Sequence, residues 1–239
     1  MQIDLSIVIT LHQEGAIASA SLNSVWNSAI LLGREFELLL ALDASNEATN
    51  EIARSFAASK RNVFVQQFSF EDPADTRNAS AAMARGGFLC FVDGDDLVSS
   101  NYFLEHMKES SIAGAGSIVR PELIVTFGEE RSFHTQPDER RVDIDYSVLF
   151  AINPWASPAF GRRDIFIDVP YVRINEPGFG YEDWLWNCHV KEAGLKNVIA
   201  PETAYFYRRK SSTISRNANA NRIKSLVPPT VLTDIMFSV

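Results

Sequence analysis

Cysteine is scarce in this chain: Cys90 and Cys188 are the 2 thiols among 239 residues, both in apolar surroundings. A disulfide scaffold is not indicated, and a reducing, cytoplasmic compartment is expected. Positive charge is in deficit, with 22 Lys+Arg against 30 Asp+Glu and a net charge of −8, so bulk binding of nucleic acid is not expected. A phosphate-bearing ligand would need local basic residues or a metal to overcome that field. No run approaches the ~20 apolar residues of a membrane span. The opening MQIDLSIVIT has neither a basic leader nor a long apolar core, so no signal peptide is expected. Soluble protein is the expectation, with peripheral contact at the inner face of a membrane still compatible. Internal repeats and low-complexity tracts are lacking as well. What is plentiful is core material: 46% of residues are hydrophobic, enough for one large domain or a domain with an appendage.

The most informative stretch is GFLCFVDGDD, residues 87–96. Phe88 to Val92 is a nearly continuous apolar run, as in a buried strand of a parallel sheet, and acids follow at its carboxyl end. Ligands of open α/β sheets bind beyond the carboxyl ends of strands. Asp93, Asp95 and Asp96 should therefore crowd where a ligand belongs, and Mg²⁺ or Mn²⁺ is the natural partner of such carboxylates. The alternative is an acidic turn in which Gly94 supplies a positive φ.

Strands and helices alternate through the first hundred residues. Strands are predicted at Leu5–Thr10, Phe36–Leu42 and Asn62–Phe68, ahead of the strand at Phe88. Between them run a helix over Glu14–Leu32 closed by Gly33, a helix through Ile52–Ala58 after the Asp43-Ala-Ser-Asn turn, and a helix over Asp75–Arg85. This is the signature of βαβ units and a mainly parallel, doubly wound sheet. The pattern then changes. A helix is predicted over Tyr102–Ile112, and a strand over Ser117–Thr126 that Pro121 should confine to an edge. Glu129–Arg141 is polar and reads as a mobile loop. A helix over Tyr181–Ala193 opens with Glu182 and Asp183, acids that the helix dipole alone would favour there. A strand-like stretch, Asn197–Tyr207, leads into the basic run Arg208-Arg209-Lys210.

Taken in order, these motifs resemble family 2 glycosyltransferases of the GT-A fold. LSIVIT with the following His12, Gln13 and Glu14 resembles the family's opening, and FELLLALDASNEAT its second strand and turn. Arg77-Asn78-Ala79, Gly86-Gly87 and FVDGDD resemble its central block, and Gly180-Tyr-Glu182-Asp183-Trp its acidic motif at a helix start. The resemblance covers most of residues 3–216. It implies a GT-A domain over 1–216, with a nucleotide-sugar-binding half at 1–100, a mixed acceptor-binding half at 101–216, and a C-terminal extension at 217–239. It further implies an inverting, metal-assisted transfer from a nucleotide sugar, most simply a UDP-sugar, to a glycan or lipid-linked acceptor in surface polysaccharide synthesis.

Carried over residue by residue, Asp95 holds Mn²⁺ or Mg²⁺, and Asp93 accepts from ribose or sugar hydroxyls with Gly94 and Asp96 beside it. Asp43 faces the base or its ribose. Thr10, His12 and Glu14 flank the base, and Arg77 and Asn78 lie by the nucleotide. Asp183 is the general base, with Glu182 as the second candidate. Trp155 and Trp184 are candidate acceptor platforms. Two departures stand out. Leu42 occupies a place where the family often has a first acid, and no histidine lies between Pro201 and Arg216, so diphosphate binding falls to Arg208, Arg209 or Lys210. A nucleotidyltransferase would need a Gly-rich loop after the first strand, where HQEGA has Gly15 alone. A phosphatase of this topology would need an Asp on that strand. The reading from another class is a non-catalytic nucleotide- or carbohydrate-binding module, against which the intact Asp93, Asp95 and Asp183 weigh.

Overall fold

A computed structural model describes residues 3–150, 152–156, 158–174 and 181–210. The proposed extension at 217–239 and Gly180 lie outside the described residues.

The first half is built as its apolar runs demand. β1 (Leu5–Leu11), β2 (Phe36–Asp43), β3 (Val63–Phe68) and β4 (Phe88–Asp93) are parallel and stand in the order β3-β2-β1-β4. Alternate residues serve two cores. Leu5, Ile7, Ile9 and Leu11 pack with Leu22, Val25 and Ala29 of α1 (Ile17–Leu31). Val8, Leu39 and Phe91 pack on the other face with Ala74 and Ala81 of α3 (Pro73–Met83). Burial on both faces explains why these strands read as unbroken apolar runs. The helices start where short polar side chains cap them. Asn46 accepts from Thr49 N–H ahead of α2 (Glu47–Ala58), and Asp72 accepts from Ala74 and Asp75 N–H ahead of α3, whose first residue is Pro73. Gly33, at φ +66°, ends α1 in the left-handed conformation expected of it.

Beyond Asp93 the sheet becomes mixed. A two-residue β5 (Leu97–Val98) and α4 (Tyr102–Ala113) lead to β6 (Ser117–Gly128) and β7 (Ser132–Thr135). A 3₁₀ turn (Tyr146–Phe150), β8 (Phe160–Arg162), α5 (Arg163–Asp168), α6 (Glu182–Glu192) and β9 (Lys196–Arg209) follow. The sheet continues β4-β8-β6-β9-β5, with β8 antiparallel to both β4 and β6, and β6 parallel to β9. Among the described residues no helix is long and apolar enough to cross a membrane.

Two expectations are corrected here. The strand with Pro121 is interior, between β8 and β9; a register shift between Pro121 and Leu123 takes up the missing N–H. Residues 129–141 are not a bare loop. They form β7 and then a part-buried ion network, in which Arg140 bonds Asp138 and Glu109 while Glu139 takes Lys191 Nζ at 2.6 Å.

Candidate active site

The carboxyl ends of β1, β2 and β4 lie level, because Thr10 is in register with Asp93, and Leu11 with Leu42. Thr10 Oγ1 donates to Asp93 Oδ1 at 3.0 Å. The chain turns at once after Asp93: Gly94 N–H bonds Thr10 O at 2.9 Å, and Asp96 N–H bonds Asp93 O at 3.0 Å. Gly94 is required by space and not by a positive φ, which corrects the turn reading. A Cβ there would stand 2.5 Å from Leu11 Cδ2 and 2.7 Å from Thr10 O.

Each acid of the turn meets a different partner. Asp93 accepts from Arg77 Nη2 at 3.1 Å, and the other Arg77 nitrogen, Nη1, donates to Glu182 Oε1 at 2.7 Å. Arg77 is 3% exposed. Burial alone would discharge it, but Asp93 and Glu182 hold it firmly charged. Asp95 Oδ2 lies 2.8 Å from Lys210 Nζ and 3.7 Å from Arg208 Nη1. Asp96 accepts from Arg208 N–H at 2.7 Å, and among the described residues its other oxygen is buried without a hydrogen-bond partner. Burial, with Asp93 and Asp95 adding to it, raises the Asp96 carboxyl well above the usual range. Successive residues of a strand face opposite sides, so Arg208 and Lys210 reach the acids while Arg209 lies over the Tyr207 ring, beside Glu130.

Asp183 and Glu182 occupy the first turn of α6. A helix N-terminus favours ionised carboxylates, yet Asp183 is pushed up to about 7, because burial and the neighbouring Glu182 outweigh Arg77 and the Trp184 N–H. Its Oδ2 accepts from Asn153 Nδ2 at 3.2 Å. A carboxyl raised toward neutrality, with Asp93 near enough to add to the rise, is a candidate proton acceptor.

Other residues singled out from the sequence are committed to the scaffold. Asp43, read as facing the base, accepts from Phe70, Glu71 and Asp72 N–H and from Thr76 Oγ1, at 2.7–3.0 Å. Asn78 pairs with both N–H and C=O of Tyr171. His12 Nδ1 stands 2.6 Å from Asp43 O, leaving its ring exposed at the β1 end. Glu14 Oε2 accepts from His12 N–H, and its carboxyl is raised by burial, with Asp95 among the lesser causes. The sugar-platform reading of the tryptophans is corrected. Trp155 is 0% and Trp184 8% exposed, packed with Leu149 and Cys188, and their indole N–H groups donate to Pro137 O and Leu149 O.

Sequence reasoning left Tyr205, Asn153 and Tyr171 out of the site. Tyr205 OH accepts from Asp93 N–H at 3.3 Å, and the Arg77 guanidinium lies 5.2 Å from the centre of the Tyr171 ring. Each lies more than 90 residues from the residue it supports, except Asn153, which is 30 from Asp183. Local pattern carries no signal at such separations.

Among the described residues no three His, Cys, Asp or Glu gather as a complete ligand set. The donors present at the turn are Asp95, at present facing Lys210, and the unpartnered Asp96 oxygen. Magnesium-type sites commonly use one or two carboxylates and complete their shell with substrate phosphates and water, which this donor set fits.

The sequence matches the description "Glycosyl transferase family 2" over residues 6–187. It is 20% identical over 235 residues to the succinoglycan biosynthesis protein ExoO of Rhizobium meliloti, which covers 94% of this chain and 66% of that protein. Among solved structures it resembles S. aureus TarS in complex with UDP-GlcNAc, with a TM-score of 0.66 and 16% identity over 98% of this chain and 64% of that one. It also resembles GalNAc-T7 with UDP, GalNAc and Mn²⁺, with a TM-score of 0.64 and 17% identity over 91% of this chain and 48% of that one. The chain thus spans less than two thirds of the length of these proteins, and the structural likeness shows a shared GT-A fold.

Proposed function

The chain belongs to glycosyl transferase family 2, and from that premise we propose that it is an inverting transferase acting on a UDP-sugar. The acceptor is a hydroxyl of a glycan or lipid-linked saccharide, in surface polysaccharide synthesis at the cytoplasmic side of a membrane. Residues 1–100 are the donor half and 101–216 the acceptor half. UDP as donor carrier is supported by the UDP-GlcNAc held by TarS, and the pathway by the succinoglycan relative.

One observation carries the reading: buried Arg77 bridges Asp93 and Glu182. It ties the acidic strand end to the start of α6, so that a donor and a proton acceptor share one crevice. Asp93, steadied by Thr10 and Arg77, accepts from the donor's hydroxyls. Asp183 takes the proton of the acceptor hydroxyl as its oxygen attacks the anomeric carbon. The bond from that carbon to the diphosphate oxygen breaks on the opposite face, inverting the centre. Negative charge then grows on the leaving UDP, toward Arg208 and Lys210. Asp95, with Asp96 beside it, would hold Mg²⁺ or Mn²⁺, whose chemistry is Lewis-acid neutralisation of that diphosphate.

Calorimetric titration of UDP and GDP, each with Mn²⁺ and with EDTA, on wild type and Asp95→Ala tests the donor site. Binding of UDP that Mn²⁺ strengthens, and that Asp95→Ala weakens, is expected. Binding of GDP alone would change the donor but keep the chemistry. No binding of either nucleotide would overturn the proposal.

A further inference from the structure

Arg120, the fourth residue of β6, is 1% exposed, and among the described residues none of its hydrogen bonds goes to a carboxylate. Nε donates to Asn197 Oδ1 at 2.9 Å, Nη1 to Ala156 O and Pro158 O, and Nη2 to Asn187 Oδ1 at 2.5 Å. A guanidinium buried in this way is costly unless its donors are met by acceptors. Here it orders amides. Since the Asn187 oxygen faces Arg120, its Nδ2 must face outward, and it donates to Asn153 Oδ1 at 2.8 Å and Trp155 O at 3.0 Å. The Asn153 oxygen is thereby taken, so its own Nδ2 points at Asp183 Oδ2, 3.2 Å away. Asn187 lies one helical turn behind Asp183 on α6, on the same side of the helix. On the other flank Asn197 repeats the device, with its oxygen on Arg120 and its Nδ2 on Glu139.

We propose that Asn153, oriented by Asn187 and behind it by Arg120, is the positioning residue of Asp183. The guanidinium has donors only, so it fixes the direction of each amide in turn, and an N–H always arrives at the carboxylate. The bonds of such a chain polarise one another, which strengthens the last of them. The relay holds one Asp183 oxygen still and presents the other to the acceptor hydroxyl. This inference rests on Asp183 being the base.

Among the described residues, the charged and titratable groups felt by Asp183 are Glu182 on its own helix, Arg77 of α3, Asp93 of β4, Arg120 of β6, Tyr171 and Tyr207. Substituting Asn153, which is partly exposed on a loop, alters the relay and leaves all of these groups in place. The test follows Asp183 by carboxyl ¹³C NMR titration of the whole chain, alongside UDP release from UDP-GlcNAc and UDP-glucose as a function of pH. Asn153→Ala should move the Asp183 midpoint upward by about one pH unit, since a donor to the charged form is lost. Turnover at pH 7 should fall about fivefold with an unchanged KM for the UDP-sugar, because the ionised fraction drops from about a half to about a tenth. Asn153→Asp, which sets an acceptor there, should move the midpoint further. A midpoint and pH profile unchanged in an Asn153→Ala protein that melts normally would overturn the relay. Turnover surviving in Asp183→Asn would instead overturn the base, while the NMR midpoint of the Asn153 variants still decides the relay by itself.

Discussion

Lys210 Nζ stands 2.8 Å from Asp95 Oδ2, closing 115 residues of chain with one ion pair. The lysine is 40% exposed, so the pair adds little to stability, on the order of 1 kcal/mol or less. Its position at the donor end matters more. Lys210→Ala should leave melting nearly unchanged while weakening UDP binding in EDTA about tenfold, the loss of one charge-assisted contact. Calorimetry with and without Mn²⁺ checks this, and Mn²⁺ should bind the variant more tightly because Asp95 has lost its competing cation.

Arg77 lies between two acids and has no such freedom. Arg77→Ala should destabilise the protein by about 3 kcal/mol or more, since it strands two part-buried carboxylates. For a domain of this size that is about 6 °C or more in Tm. Arg77→Lys keeps the charge but cannot fork to both Asp93 and Glu182, and an intermediate loss is expected. Urea unfolding gives the ordering; equal stability of wild type and Arg77→Ala would contradict it.

For Asp183 the pH dependence follows from a folded-state midpoint of about 7 against a model-compound value of 3.8. Turnover should climb as pH rises through 7, when the carboxylate becomes available as base. Stability runs the other way. Between those two values the folded chain holds a proton that the unfolded chain has released, so each step up in pH removes stability until the folded midpoint is passed. Asp183→Asn should therefore gain stability above neutral pH and little near pH 4, while turnover falls about 10²- to 10⁴-fold. Melting scans across this range, paired with rates, would show whether one residue accounts for both trends.

Asp43 is a test of scaffold against ligand contact. Its two oxygens hold three N–H groups of the β3–α3 connection and the Thr76 hydroxyl of α3. Asp43→Ala should cost about 3 kcal/mol or more, each bond to a charged group contributing about 1.5–3 kcal/mol and the set being far from additive. Asp43→Asn, with one acceptor oxygen left, should cost about half as much. UDP affinity lost without any change in Tm would make Asp43 a reader of the base after all.

The first half of the fold was legible because its strands are buried on both faces and its helices carry local stop and start signals. Asn46 and Gly33 sit where their chemistry requires, whereas the cap Asp72 and Pro73 lie ahead of Asp75, the predicted start of α3. The acidic turn was legible too, as acids after an apolar run. Beyond residue 100 the information is carried by distant pairs. Pro121 looked like an edge residue because its register shift is visible only against β9. Residues 129–141 looked loose because the partners of Asp138, Glu139 and Arg140 are spread from Glu109 to Ile199. Trp155 looked available to a sugar because a sequence does not display Leu149, Trp184 and Cys188 closing around it.

The position of β9 has a consequence for how the molecule comes into being. Of the described strands it is the last to be synthesised, yet it is laid inside the sheet, between β6 and β5. It also brings Tyr205 and Arg208 to the backbone and side chain of an acidic turn that left the ribosome a hundred residues earlier. A nascent chain therefore carries an open slot in its sheet, with β5 lacking its mate and the acids unbraced. The acidic turn is braced only once this late strand is inserted, so a chain cut before β9 lacks both the mate of β5 and the braces of Asp93 and Asp96.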